Sequence, residues 1–261
     1  MYTPAGLCAT FISFLGFFKL NQWLNSELCF IPVPAKYAGS TRYKWSNAVG
    51  SFIHATLVSL LGAYCMYQTP EYFTERVLTT TTLGEIIIGI FAGYFIFDSV
   101  DLVKYQGIQA TWPVVLHHVV LVSVGLGYFL YHHQLVGYGM LACLIEINSI
   151  FLHGRLLLLM YGFSKTSLVY RLNSVFNIIT YLAFRMGCLV LLIPMVMDDC
   201  ERISSFWCYW FRVTAVTLLV INLILFYRLI RSDFITKSNK GIETDLNIMV
   251  PNNNNLNGKS H

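Results

Sequence analysis

Charge is what this sequence has least of. Only 11% of its 261 residues are charged, while 56% are hydrophobic. A soluble domain carries roughly 25% charged residues. A water-soluble globule of this length would lack the charge to cover its surface, and that excludes the ordinary soluble classes. There is no long basic run and no nucleic-acid signature, so no nucleic-acid partner is expected. The sequence has no H-E-x-x-H, C-x-x-C, P-loop or G-x-S-x-G pattern. Histidine boxes of the H-x-x-H-H type, which membrane di-iron oxygenases need, are absent as well, so no metal and no resident cofactor is expected. No internal repeat is visible. A D-R-Y triplet after the third apolar run is missing (Lys104-Tyr105-Gln106 follows it), as is N-P-x-x-Y in the last run. Both absences argue against a seven-helix receptor.

What is present is a series of apolar runs long enough to cross a bilayer, at about 20 residues each. They fall near 4–24, 47–67, 83–103, 112–131, 137–158, 172–197 and 207–230. Backbone groups in lipid must be satisfied within each segment, which makes helices the default. The reading is an all-α integral membrane protein, a polytopic bundle of about seven transmembrane helices. The first run is the weakest, because Lys19, Asn21 and Gln22 crowd its end. A cleaved signal peptide is the rival reading of it. With no basic residue ahead of it, a retained span is preferred. If the first loop lies inside, the inner segments and tail hold Lys36, Arg42, Lys44, Lys104, Arg155, Lys165, Arg171, Arg228, Arg231, Lys237, Lys240 and Lys259, or 12 of the 17 basic residues. The outer loops hold Glu71, Glu75, Arg76, Asp198, Asp199, Glu201 and Arg202. The positive-inside rule then puts the N-terminus outside and the C-terminus in the cytosol. Trp23, Trp45, Trp112, Trp207 and Trp210 all sit at or near span ends, where headgroup-level rings are favoured. Most of the seven Cys lie in apolar stretches. Cys200 and Cys208 share one outer loop, where a disulfide is possible if that side is oxidising. From about 235 the chain turns polar and ends in an Asn run, a composition that predicts a disordered cytosolic tail over 235–261.

Ionisable side chains inside spans are costly and each is a functional-site candidate. They are His54, Glu85, Asp98, Asp101, His117, His118, Glu146, His153 and Arg185. Asp98 and Asp101, spaced i,i+3, share a helix face. Glu146, Ser149 and His153 form one stripe, and Asn173, Asn177, Tyr181 and Arg185 another. If these faces point inward they line a polar cleft that opens to the cytosol and narrows toward Glu146 and Arg185. The bland alternative is that they are interhelical hydrogen-bond partners with no chemistry, with Glu146 and Arg185 merely neutralising each other. Glu85, near the outer end of its span, reads as interfacial. His117 and His118 are adjacent and so point about 100° apart on a helix, and His132 and His133 fall at the opposite end of the same span.

Six segments in order resemble the TLC superfamily, the TRAM, Lag1 and CLN8 proteins. They are Trp45-Ser46-Asn47 with His54, GYFIFDSVDLV at 93–103, LHHVV at 116–120, IEINSIFLHGRLLLL at 145–159, YRLNSVFNIITYLAFRMG at 170–187 and FYRLIRSDF at 226–234. The resemblance covers a domain over 40–234 with six of the spans, leaving 1–39 as an N-terminal span and loop. It is nearest to the branch of TLC domain-containing proteins 1 and 2. It implies a plasma-membrane protein, with the endoplasmic reticulum as the alternative, that regulates phospholipid acyl-chain composition and membrane fluidity by limiting polyunsaturated chains. The implied partners are membrane phospholipids or fatty acyl chains. Ceramide synthases of the superfamily pair two histidines with a downstream H-D-x-x-D. His117 and His118 match the first part and stand as catalytic candidates. The second part is missing, since 145–155 reads IEINSIFLHGR, and that leans against an enzyme. An acyl-CoA-dependent acyl transfer with a His base, to a lysophospholipid for example, stays open, with acyl-CoA as substrate. So does lipid binding or transport without chemistry. The substrate-cleft candidates are His54, Asp98, Asp101, Glu146, Ser149, His153, Asn177 and Arg185.

Overall fold

The computed structural model describes residues 4–124, 126 and 134–232. His132, His133 and the polar tail lie outside them. The described residues are helical throughout, with short turns and no strand: α1 (Ala5–Leu24), α2 (Arg42–Gln68), α3 (Thr82–Gln106), α4 (Ile108–Val124), α5 (Val136–Met160), α6 (Leu168–Thr180), α7 (Gly187–Asp198) and α8 (Ser205–Ile230). A π-helical stretch, Tyr181–Met186, joins α6 to α7. The continuous segment Leu168–Arg202 and α2, α3, α5 and α8 are long and apolar enough to cross a membrane, and α4 is a shorter apolar helix. α1 has the length but loses hydropathy at its polar end, as the sequence suggests.

Helices successive in the chain alternate in direction, as successive spans must, so α1 and α3 run parallel. On α1 and α3 the contacts rise together, from Gly6 with Gly89 to Asn21 with Asp101. On α2 and α3 they run oppositely, with Asn47 on Asp98 and His54 on Phe91. The closest approach is between α1 and α3. Gly89 and Gly93 lie against the Gly6 and Thr10 carbonyls, and Ser13 Oγ donates to the Ile90 carbonyl at 2.8 Å. Lipid gives helices no hydrophobic reason to associate, so close packing of small residues and hydrogen bonds must do it. α1 is also tied by Asn21 to Asp101 (2.9 Å), by Asn25 to Ser46 (2.8 Å), and by Arg42, which donates to the Leu24 and Ser26 carbonyls. A chain cut after α1 would expose this glycine face.

Two apolar cores flank the polar middle. One gathers Val58, Ile87, Met140 and Phe211 and the other Leu24, Tyr37, Trp45 and Leu156. Trp45 sits at a helix end as expected, yet it is fully buried and donates to Tyr161 Oη at 3.3 Å instead of resting at headgroup level. Arg155 is a second correction. It stands in α5, not in a loop, is 1% exposed, and donates to Ser232 Oγ. Glu85 is buried in the first turn of α3, where the helix dipole favours a carboxylate.

The two loops assigned to the outer side come together. Asp199 accepts from Tyr138 Oη at 2.6 Å and faces Arg76 at 3.2 Å, while Arg202 binds both Glu75 oxygens at 2.9 Å. Cys200 and Cys208 are bridged, with Cα atoms 5.4 Å apart, fixing the turn between α7 and α8.

Replacing Gly89 or Gly93 by Leu should cost about 1–3 kcal/mol or more each, since the new side chain meets backbone that cannot yield. An unchanged melting temperature of the purified protein would refute the α1–α3 contact. Hydrogen bonds from Arg202 hold the Glu75 carboxyl below the usual carboxylate range. A lowered pKa contributes stability that is present above the unfolded value and is lost as pH falls through the folded one. The melting difference between wild type and Glu75→Gln should therefore persist from pH 7 to 5, begin to shrink as pH falls past about 4.3, and vanish only below the lowered folded value.

Candidate functional site within the bundle

α3 carries the polar axis. Asp98 accepts from Asn47 at 2.6 Å, and its other oxygen lies 3.6 Å from His118 Nδ1. Ser99 Oγ is 3.1 Å from the same nitrogen, and the Phe95 ring stacks on His118 at 4.4 Å. His118 is thus held on one edge by α3 and cannot swing. One helical turn away, Asp101 serves Asn21 of α1. The i,i+3 acids therefore tie α3 to α1, α2 and α4 and do not line the cavity described below. His54 stacks on Tyr94 at 3.9 Å, and Tyr94 Oη donates to Ser51.

The second polar group spans α5, the π-helical stretch and α8. A π turn adds a residue to the helix and marks functional sites more often than chance. Here it carries Arg185, which donates to Ser149 Oγ at 2.7 Å and reaches Asn222 Oδ1 at 3.5 Å. Tyr181 Oη donates to the Asn222 carbonyl at 2.7 Å, and Asn222 returns its own amide to Leu218. Beside this group, Asn148 donates to the Asn177 carbonyl and side-chain oxygens at 2.9 Å, fastening α5 to α6.

Between the two groups lies a cavity of about 130 Å³, walled by α3, α4, α5, the π stretch, α7 and α8. His117, Glu146, Arg185 and Asn222 form its polar wall. Phe91, Leu121, Val124, Leu192, Val196 and Phe211 make the rest apolar. Of the adjacent histidines only His117 faces it. Their rings stand 5.8 Å apart and 54° askew, the divergence that neighbouring helical positions impose.

The cleft expected from the sequence is thus partly assembled. His117, Glu146 and Arg185 meet in the cavity wall, and Ser149 backs Arg185. His54, Asp98, Asp101, His118, His153 and Asn177 stand behind the wall as buried polar groups. The cavity runs from the polar wall along apolar residues toward the Cys200–Cys208 end, not along a polar channel. Several of these buried atoms have no hydrogen-bond partner among the described residues: both ring nitrogens of His54, Nδ1 of His117 and of His153, and Nε of Arg185. Buried polar groups are ordinarily paired, and of these atoms those of His117 and Arg185 belong to residues of the cavity wall. Among the described residues no three His, Cys, Asp or Glu side chains are grouped to hold a metal. Asn222 and Asn148 were not among the sequence candidates. An amide in the middle of α8, between the apolar pairs Val220-Ile221 and Leu223-Ile224, is the signal that would have found the first.

Residues 44–231 match the family model of the TLC domain, TRAM_LAG1_CLN8, which takes in α2 through α8 and leaves α1 outside. The chain is 33% identical over 226 residues to TLC domain-containing protein 2 of Danio rerio, covering 87% of this chain and 89% of that one. To TLC domain-containing protein 1 of Rattus norvegicus it is 30% identical over 217 residues, covering 81% and 85%. TLC domain-containing protein 4 A of Dictyostelium discoideum matches over 119 residues, 44% of this chain, at 29% identity. The glycine-packed bundle with its polar inner wall belongs to the TLC domain family.

Proposed function

We propose that this protein holds a fatty acyl chain in the central cavity and thereby regulates the acyl composition of membrane phospholipids, limiting polyunsaturated chains. The observation that carries the reading is the cavity itself, apolar along its length and closed on one side by His117, Glu146, Arg185 and Asn222. A chain moving from bilayer to cavity gains little hydrophobic energy, because both surroundings are apolar. Discrimination must come from the shape of the walls and from how the polar wall receives the ester or carboxyl end. A rigid apolar slot is suited to telling chains with several cis bends from straighter ones.

The proposed setting is the plasma membrane, with the N-terminus outside and the C-terminus cytosolic. The Cys200–Cys208 bridge supports that orientation, since it lies at the end assigned to the oxidising side. A second reading is acyl transfer from acyl-CoA to a lysophospholipid hydroxyl, favoured by the unpartnered Nδ1 of His117 in the cavity wall. In that reaction His117 takes the hydroxyl proton, the freed oxygen attacks the thioester carbonyl, Arg185 steadies the oxyanion, and the carbon–sulfur bond breaks to release coenzyme A. His118, held by Asp98 and Ser99, is a positioning neighbour.

Cells lacking the protein should raise the share of polyunsaturated chains in phospholipids when fed polyunsaturated fatty acids. An unchanged lipid profile sinks the regulatory reading. Filling the cavity with Ala215→Phe should abolish the effect while the protein still reaches the membrane. His117→Ala separates the two readings. If it restores the wild-type profile, transfer chemistry at His117 is out. If purified protein acylates a lysophospholipid and His117→Ala lowers the rate by about 10²–10⁴, the enzyme reading stands.

A further inference from the structure

At the end of the bundle opposite the Cys200–Cys208 bridge, three lysines meet two stacked tyrosines. Tyr43, in the first turn of α2, and Tyr105, in the last turn of α3, lie ring on ring with centroids 5.0 Å and planes 9° apart. Lys104 Nζ is 5.0 Å from the Tyr105 centroid and Lys44 Nζ 6.0 Å from that of Tyr43. Lys36 is near enough to Lys44 for the two ammonium groups to repel. None of these five residues lines the cavity.

The arrangement is held in place from below. Tyr37 is buried in the Trp45 core and pins the short turn that carries Lys36, whose carbonyl accepts from Thr41 Oγ1 at 3.1 Å. α3 ends at Gly107, whose φ of 80° suits glycine, so Lys104 and Tyr105 occupy a defined last turn. Among the described residues no carboxylate pairs with Lys36, Lys44 or Lys104. Arg42 is different, being spent on the Leu24 and Ser26 carbonyls. Lysines that serve only to orient a span need no shared location and no aromatic platform. Here the fold gathers three at one end, with Lys36 and Lys44 close enough to repel and set beside the positive end of the α2 dipole. Asp101, already taken by Asn21, acts on Lys104, and an anion at the headgroup level would balance the remaining charge.

We propose that Lys36, Lys44 and Lys104, on the Tyr43–Tyr105 pair, form a docking site for the multiply phosphorylated headgroup of an inositol phospholipid. Three dispersed cations suit several phosphates on one ring better than the single phosphate of a neutral lipid. The site is independent of what the cavity binds.

Native mass spectrometry of the purified full chain tests it. Added phosphatylinositol bisphosphate should give a one-lipid adduct at concentrations where phosphatidylcholine gives none. Lys36→Ala, Lys44→Ala and Lys104→Ala should each weaken it about fivefold, and all three together on the order of a hundredfold. The triple arginine variant should keep it, which separates loss of charge from loss of fold. The proposal is overturned if the folded triple alanine variant binds as well as wild type, or if phosphatidylcholine binds equally. Competition by soluble inositol trisphosphate at equal concentration would also overturn the lipid assignment and make the ligand a free phosphate ester. Weak competition is the expected result.

Discussion

A polar side chain in the middle of a bilayer has no water to turn to, so it must find its partner on another helix. That constraint organises this bundle. Asp101 takes Asn21 from α1, and Asp98 takes Asn47 from α2 and faces His118 of α4. Asn148 fastens α5 to α6, and Arg185 joins α5 to α8 through Ser149 and Asn222. Each pairing is modest alone, near 1 kcal/mol between helices in a membrane. Removing one member is dearer, since it leaves the other buried and unpaired. Helices that would otherwise slide in lipid are thereby given one register.

The same constraint divides structure from function within one layer. Asp98, Asp101, Asn148 and Asn177 are largely spent on holding helices together. His117, Glu146 and Arg185 are left facing a space. The π turn separates the two uses, because an added residue brings Arg185 to the cavity wall while Tyr181, four positions earlier, still reaches Asn222. Membership of the TLC family and a largely apolar cavity are both compatible with a membrane lipid as partner.

Much of the fold was legible because hydropathy reads a bilayer directly. The run at 83–103 became Thr82–Gln106 and that at 207–230 became Ser205–Ile230. Spacing also foretold that His117 and His118 diverge. What spacing does not give is the direction in which a shared face points. Asp98 and Asp101 do lie on one face, but it looks toward α1 and α2, and that depends on which helices sit beside α3. The close approach at Gly89 and Gly93 sets this, and small residues in one sequence do not name their partner. Arg155 was misplaced because a charge near a span end reads as loop, whereas α5 continues to Met160 and buries it against Ser232. Asn222 shares no helical stripe with an ionisable residue inside its span, the feature that drew out Ser149 and Asn177.

The α1–α3 contact also has a consequence for synthesis. α1 leaves the ribosome carrying Ser13, Asn21 and Asn25, and their partners Ile90, Asp101 and Ser46 all come later in the chain. The stretch from Leu24 to Gln106 must be made before the helix can dock. At about 5–20 residues per second that is a wait of several seconds. During it, a first helix with two asparagines at its end has only lipid, translocon or α2 for company. Its weak hydropathy makes it a poor anchor for that interval, so the early chain depends on the insertion machinery to keep α1 in place until its glycine-faced partner arrives.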